Sequence, residues 1–192
     1  MKTTFRIGTI ILVLAGLTAA VKAQSITDRN ATEGSHSGIR LSIGPEFGIP
    51  VGKLSDTHDW SFGGSVQGDF PVAPSLFVTA NAGYNNIFGK SDNGEDQPDL
   101  RLIPVKAGLK YFATSSLYVQ AEAGASFITN KSDLPDGKSA AFVYAPQIGF
   151  LLPFSDKSFL DAGVRFEGNT KFYENGKSNN FFGLRVAYSF SL

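Results

Sequence analysis

The sequence contains no cysteine. This absence excludes disulfide bonds, a cysteine-ligated zinc ion, a thiol nucleophile and a lipidated N-terminal cysteine. The sequence also has no excess of charge, because 17 Lys and Arg residues balance 17 Asp and Glu residues. Without a basic excess to neutralise phosphates, we expect no nucleic-acid partner.

Long apolar runs are scarce as well. The longest candidate, residues 7–17, covers about 11 residues, whereas a membrane-spanning helix needs about 20. A positively charged start precedes it, and Val21 and Ala23 follow at the −3 and −1 positions of a cleavage site. We therefore predict a signal peptide over residues 1–23, with an uncleaved anchor helix as the alternative. Residues 24–38 are polar without apolar periodicity, which predicts a flexible N-terminal segment.

From residue 39 to the last residue the sequence alternates with period two. The eight alternating segments are residues 39–50, 61–70, 76–86, 102–112, 117–127, 141–152, 159–168 and 181–192. One face of every segment is apolar and uncharged. The other face carries the charges, which are Arg40, Glu46, Asp69, Lys106, Lys110, Glu122, Asp161, Arg165, Glu167 and Arg185. Turning Lys or Arg towards lipid costs roughly 2–4 kcal/mol, so lipid contact would fix which face points outwards.

Segment and connection lengths point to a transmembrane barrel. A tilted strand crosses a bilayer in about 9–11 residues, close to the length of these segments. The longer connections cover residues 51–60, 87–101, 128–140 and 170–180, and they alternate with short ones at 71–75, 113–116 and 153–158. Aromatic residues collect near the segment ends on the apolar face, as in interfacial girdles. We predict an all-β, eight-stranded antiparallel up-and-down β-barrel over residues 39–192, in the outer membrane of a Gram-negative bacterium.

A soluble β-sandwich or a lipocalin-type barrel would also alternate, with its apolar face turned inwards. Glycines argue against that alternative, since many of them share the charged face. A narrow barrel interior needs glycines to make room for long Arg and Glu side chains, whereas a solvated face does not. Gly64 and Gly68 fall on the apolar face instead, which predicts a bulge in that segment.

Several segments also resemble a known family. Residues 102–112 (LIPVKAGLKYF) followed by 117–125 (LYVQAEAGA) look like the central hairpin of the PorT-like outer-membrane β-barrel proteins of Bacteroidetes. The opening residues 40–50 and the closing residues 182–190 fit the same pattern, so the likeness covers about residues 39–192. The resemblance implies an eight-stranded barrel similar to small OmpA- and OmpX-like barrels. It implies no catalytic or binding residues.

Charged residues of the inner face are expected to pair. We expect Lys106 roughly opposite Glu122, and Glu167 near Arg185. Such pairs would fill the interior of an eight-stranded barrel as a solid polar core. A narrow ion path is the alternative.

Two polar stretches offer candidate chemistry. His58 lies among Ser55, Asp56, Asp59 and Ser61, an arrangement that could activate a hydroxyl as in lipid A-modifying barrels, while His36 lies in the polar lead-in. The acidic residues 91–99 could bind Ca²⁺, but their spacing does not match an EF-hand loop. Neither spacing is diagnostic, so we predict no catalytic residue, no cofactor and no metal site.

The function we predict is a structural or surface-interaction role for a monomeric, non-enzymatic barrel without an open pore. Its partners would be lipopolysaccharide and phospholipid around the wall, and an extracellular partner at the long loops. A lipid A-modifying enzyme and an accessory component of a secretion apparatus are the alternatives.

Overall fold

The computed structural model describes residues 38–92, 95–130, 139–170 and 179–192. Its eight long strands are β1 (Arg40–Val51), β2 (His58–Ala73), β3 (Leu76–Gly89), β4 (Leu100–Phe112), β5 (Leu117–Ile128), β6 (Ala140–Ser155), β7 (Ser158–Asn169) and β8 (Asn179–Ser191). A 3₁₀ helix, Gly52–Asp56, joins β1 to β2, and a two-residue ladder pairs Ser91–Asp92 with Glu95–Asp96. The described residues contain no helix long and apolar enough to cross a membrane. The predicted signal peptide and almost all of the predicted flexible segment lie outside the described residues.

The strands close into one antiparallel barrel in which each pairs with its neighbours in sequence and β8 pairs with β1. This confirms the predicted fold class. Every predicted segment corresponds to one strand, and most strands extend a few residues beyond the prediction. The connection after β1 was predicted at residues 51–60 and is shorter, because β2 already begins at His58.

Strand tilt follows from the register. We start at Leu41 on β1 and pass from each residue to its partner on the next strand until the path returns to β1. It returns at Val51, so the register around the barrel is displaced by 51 − 41 = 10 residues. Each residue advances about 3.3 Å along a strand, and neighbouring strands lie about 4.8 Å apart. A displacement of ten residues over eight strands therefore tilts the strands by about 40° from the barrel axis. The wall is therefore inclined as in other closed barrels, and cross-strand neighbours climb steadily around it.

The two faces of the wall separate as the alternation predicts. Side chains of the apolar face point outwards and stay exposed, among them Val105 at 48%, Ile148 at 52% and Val164 at 51%. All the charged residues predicted for the inner face are at most 8% exposed. Because an exposed apolar face on every strand is stable only against hydrocarbon, this arrangement fits a membrane-spanning wall and excludes the soluble alternative.

No bulge occurs at Gly64 or Gly68, so that prediction was wrong. The pairing of β2 with β3 runs unbroken from Ser61 to Pro71, and its irregularities lie only at the strand ends. Both glycines lie in this ladder without an inserted residue, and the Phe70 ring packs against Gly68.

Prolines interrupt the ladders at three places. The β1–β8 ladder skips Pro45, the β3–β4 ladder skips Pro104 and the β6–β7 ladder skips Pro146. Proline has no N–H to donate, so each position loses a hydrogen bond between neighbouring strands.

Candidate functional site

The ion pairs of the lumen join into one chain of alternating sign. In order, its members are Asp69, Lys110, Asp161, Arg185, Glu46, Arg165, Glu167, Lys106 and Glu122. Apart from the close Glu46–Arg165 pair, the N···O separations run from 2.7 Å for Lys106–Glu167 to 3.9 Å for Lys106–Glu122. The chain contains four cations and five carboxylates. Arg40 is also buried and adds a fifth cation, so the charges of these residues balance in the lumen.

Hydroxyl groups add hydrogen bonds to this chain, while Glu122 Oε2, Arg165 Nη1 and Arg185 Nη1 are buried without a hydrogen-bond partner among the described residues. The Ser65 hydroxyl donates to Glu46, and Arg185 Nε donates to Ser65 Oγ at 3.0 Å. Thr79 Oγ1 donates to Glu122 at 3.0 Å, and Tyr118 OH donates to Asp161 at 2.6 Å. Buried charges need such additional hydrogen bonds to offset the loss of water, so the network has the form of a filled core.

One of the two predicted pairs forms. Lys106 and Glu122 lie within ion-pair distance, but the closer partner of Lys106 is Glu167 on the far side of the lumen. The predicted pair of Glu167 with Arg185 was wrong. Glu167 faces Phe181 and Arg185 faces Gly163, so the register separates the two charges along β8, and Arg185 reaches Asp161 and Glu46 instead.

An apolar cluster closes the end of the lumen beside the longer connections. It consists of Leu54, Ile87, Leu100, Leu102, Ile128, Ala141 and Phe181, none more than 8% exposed. Leu54 comes from the 3₁₀ helix between β1 and β2, whereas the others point inwards from strands. Sequence reasoning missed this plug, although adjacent apolar residues such as Phe181-Phe182 and Leu102-Ile103 mark strand ends where both faces are apolar.

A second cluster closes the opposite end with aromatic rings. Phe77, Phe112, Tyr118 and Leu151 are buried there, with Phe159 packed against them. The Arg40 guanidinium lies 4.5 Å from the Phe77 ring centroid and 4.9 Å from that of Phe112, in cation–π geometry. The lumen is thus apolar at both ends and charged between them.

The candidate catalytic residues around His58 do not assemble. His58 Nδ1 lies 2.8 Å from Thr57 Oγ1, and the Ser55 hydroxyl donates to the Gly52 carbonyl. Asp59 lies 3.5 Å from Lys90 Nζ. No Ser–His–Asp hydrogen-bond series occurs among these described residues, and His36 lies outside the described part of the chain.

No metal site is evident in the described residues, where no group of three or more His, Cys, Asp or Glu side chains could hold an ion. The side chains of residues 92–96, the centre of the predicted Ca²⁺ candidate, lie outside what the structure describes.

Comparisons with known proteins agree with this architecture. The family model described as "Outer membrane protein beta-barrel domain" matches residues 9–190. No curated protein matches the sequence. Among solved structures, Neisserial surface protein A is similar with a TM-score of 0.57 and 16% identity, covering 81% of this chain and 98% of its own.

Two further structures share the fold. OprG from Pseudomonas aeruginosa has a TM-score of 0.52 and 11% identity, covering 84% of this chain and 99% of its own. Ail, the attachment invasion locus protein of Yersinia pestis, solved with the heparin analogue sucrose octasulfate, has a TM-score of 0.52 and 15% identity, covering 80% and 99%. The family match spans most of the sequence, so the chain belongs to the outer membrane protein β-barrel domain family and lies in the outer membrane of a Gram-negative bacterium.

Proposed function

We propose that the protein is a sealed, monomeric and non-enzymatic barrel with a structural or surface-interaction role in the outer membrane. The observation that carries this proposal is the lumen, where a chain of paired charges lies between two apolar plugs and Arg40 balances the one carboxylate that the chain has in excess. A water-filled path through it would have to separate buried ion pairs, each of which costs several kcal/mol to break.

Conductance measurements test the sealed lumen. We expect the purified protein to give no stable conductance steps in planar bilayers, while a bacterial porin gives them under the same conditions. Regular steps that follow the amount of folded barrel would contradict the proposal and favour the narrow ion path.

The surface role is proposed for the connections that follow β1, β3, β5 and β7, since the opposite turns have only a few residues. Shortening these connections in cells should alter surface binding or envelope integrity while the barrel still folds. Unchanged binding and integrity would count against a surface role. We also expect that deleting the gene leaves the acylation of lipid A unchanged. If deletion changes the acylation, and the wild-type protein restores it but the His58→Ala variant does not, a lipid-modifying enzyme would be favoured.

The finer family assignment and the export signal are part of this proposal. The PorT-like segments support membership of that group and make an accessory role in a secretion apparatus a second candidate, which co-purification with a large complex would favour. We further propose that residues 1–23 are removed on export. Intact-mass measurement of the membrane-extracted protein should give a chain that begins at Gln24.

A further inference from the structure

An apolar cavity opens on the outer wall of the barrel. It has a volume of about 380 Å³ and lies over Gly64, between Ile43 on β1, Val66 on β2 and Ala82 on β3. Ile43 and Val66 are 56% and 50% exposed, so the cavity belongs to the lipid-facing surface and not to the lumen. Because this wall faces hydrocarbon, its occupant must be apolar at this depth.

Aromatic side chains rise from the cavity towards the end that carries the longer connections. The rings of Phe47 and Phe62 pack with centroids 5.0 Å apart beside it, and Tyr84 is 45% exposed. At the rim the Trp60 ring stacks on Phe88 with centroids 4.2 Å apart. Aromatic rings of this kind mark the level of the lipid headgroups.

One cation at this rim has no carboxylate partner in the described residues. Lys53 and Lys90 have Asp56 and Asp59 within 4 Å, at 3.7 Å and 3.5 Å. Arg101 is exposed, and no described ion pair includes it.

Arg101 lies directly above the cavity's β3 edge. It is the cross-strand neighbour of Asn86, four residues along β3 from Ala82. Four residues span about 13 Å of strand, which places the guanidinium at the headgroup level when the acyl region fills the cavity.

We propose that this column, comprising the Gly64 cavity, the aromatic side chains above it and Arg101, binds one phosphorylated glycolipid of the lipid A type from the outer leaflet. An acyl chain lies in the cavity and a phosphate pairs with the Arg101 guanidinium, which matches phosphate oxygens with two parallel donors.

A second copy of the chain fits this column less well. A two-fold dimer places the same patch of both subunits face to face, so two Arg101 side chains would meet at the same height. Like charges at such an interface repel, whereas a lipid phosphate neutralises the cation.

Native mass spectrometry of the detergent-solubilised barrel tests the site with three probes: bisphosphorylated lipid A, enzymatically dephosphorylated lipid A, and phosphatidylglycerol. We expect the wild type to retain bisphosphorylated lipid A best. Arg101→Gln should weaken that binding about fivefold and remove the preference over the dephosphorylated form, in the range of one partly exposed ion pair. Ala82→Leu, which fills the cavity, should weaken binding of both lipid A forms.

Matched controls keep the result specific. Ala123→Leu enlarges an exposed alanine on the outward face of β5 away from the cavity, and Lys157→Gln removes one charge at the opposite end of the barrel. Both should bind lipid A like the wild type, and all variants should show the faster gel migration of an unboiled barrel.

Equal binding of the two lipid A forms by the wild type, or stronger retention of phosphatidylglycerol, would overturn the proposal. So would a dimer that Ala82→Leu dissociates. The site does not depend on a sealed lumen, so conductance leaves this test unaffected.

Discussion

The middle of the lumen and its two ends are filled by opposite means. The middle holds charged side chains that reach across the barrel to strands distant in sequence, such as Lys106 on β4 to Glu167 on β7. The ends hold apolar side chains. One plug includes Leu54 from the 3₁₀ helix, and the other is a group of aromatic rings on which the Arg40 guanidinium lies. The charged region specifies which strands face one another, because each ion has few acceptable partners, whereas the apolar ends mainly exclude water.

The largest effect should follow from breaking the charged middle. Lys106→Met removes the cation between Glu167 and Glu122 and leaves two buried carboxylates without it. We expect the free energy of unfolding to fall by about 3–5 kcal/mol. Urea titration in lipid vesicles, read by the gel migration of unboiled samples, measures the change.

A double variant sharpens this result. Lys106→Met combined with Glu167→Met removes both members of the 2.7 Å pair, while Glu122 keeps the Thr79 hydroxyl. The double variant should therefore be more stable than Lys106→Met alone, since apolar pairs can replace buried ion pairs. A double variant less stable than the single one would show that the pair is not coupled as described.

The aromatic end should come next. Phe112→Ala removes a ring that packs on Phe77 at 5.6 Å between centroids and lies beneath Arg40. We expect a loss of about 3 kcal/mol from the cavity and the lost cation–π contact, measured by the same urea titration. Phe112→Leu retains most of the volume and should lose clearly less.

Leu54→Ala should have a smaller effect, about 2 kcal/mol, because Leu54 is buried but is carried by a short connection that can adjust. The same unfolding measurement applies. A loss as large as that of Lys106→Met would mean that the connection is as rigid as the strands.

A lipid-facing change should have the smallest effect. Val164 is 51% exposed on the outer face, so Val164→Ile adds a methylene group that meets hydrocarbon and displaces no side chain. The unfolding free energy should stay within about 0.5 kcal/mol of the wild type. A large loss would contradict lipid contact at this position.

The strands and their faces were predictable because alternation is a local property. Charged residues such as Arg165 recur on one side of an otherwise apolar strand, and that pattern alone gives the inside. Partners across the lumen were not predictable, since they depend on the ten-residue stagger of the whole barrel. Lys106 and Glu122 lie on one hairpin with a short turn, so their pairing follows from the sequence, whereas the pairing of Arg185 with Asp161 and Glu46 does not.

The apolar plugs and the outer cavity were also beyond the pattern. Phe77 and Phe181 lie on the inner face, where alternation predicts polar residues. They can be apolar there because the two ends of the lumen lie beyond the ion chain. Gly64 was interpreted as a sign of a bulge, whereas its missing side chain leaves an outer hollow. Such features depend on which residues are neighbours on adjacent strands and not on the order within one strand.

The proline gaps have a mechanical consequence. The three interrupted ladders divide the wall into panels of three, three and two strands: β1–β3, β4–β6 and β7–β8. Within each panel the ladders have no gap between their ends, whereas each joint between panels lacks backbone pairs around a proline. When the thickness or lateral pressure of the surrounding bilayer changes, the cylinder should flex at these joints and become slightly oval, while the panels keep their curvature.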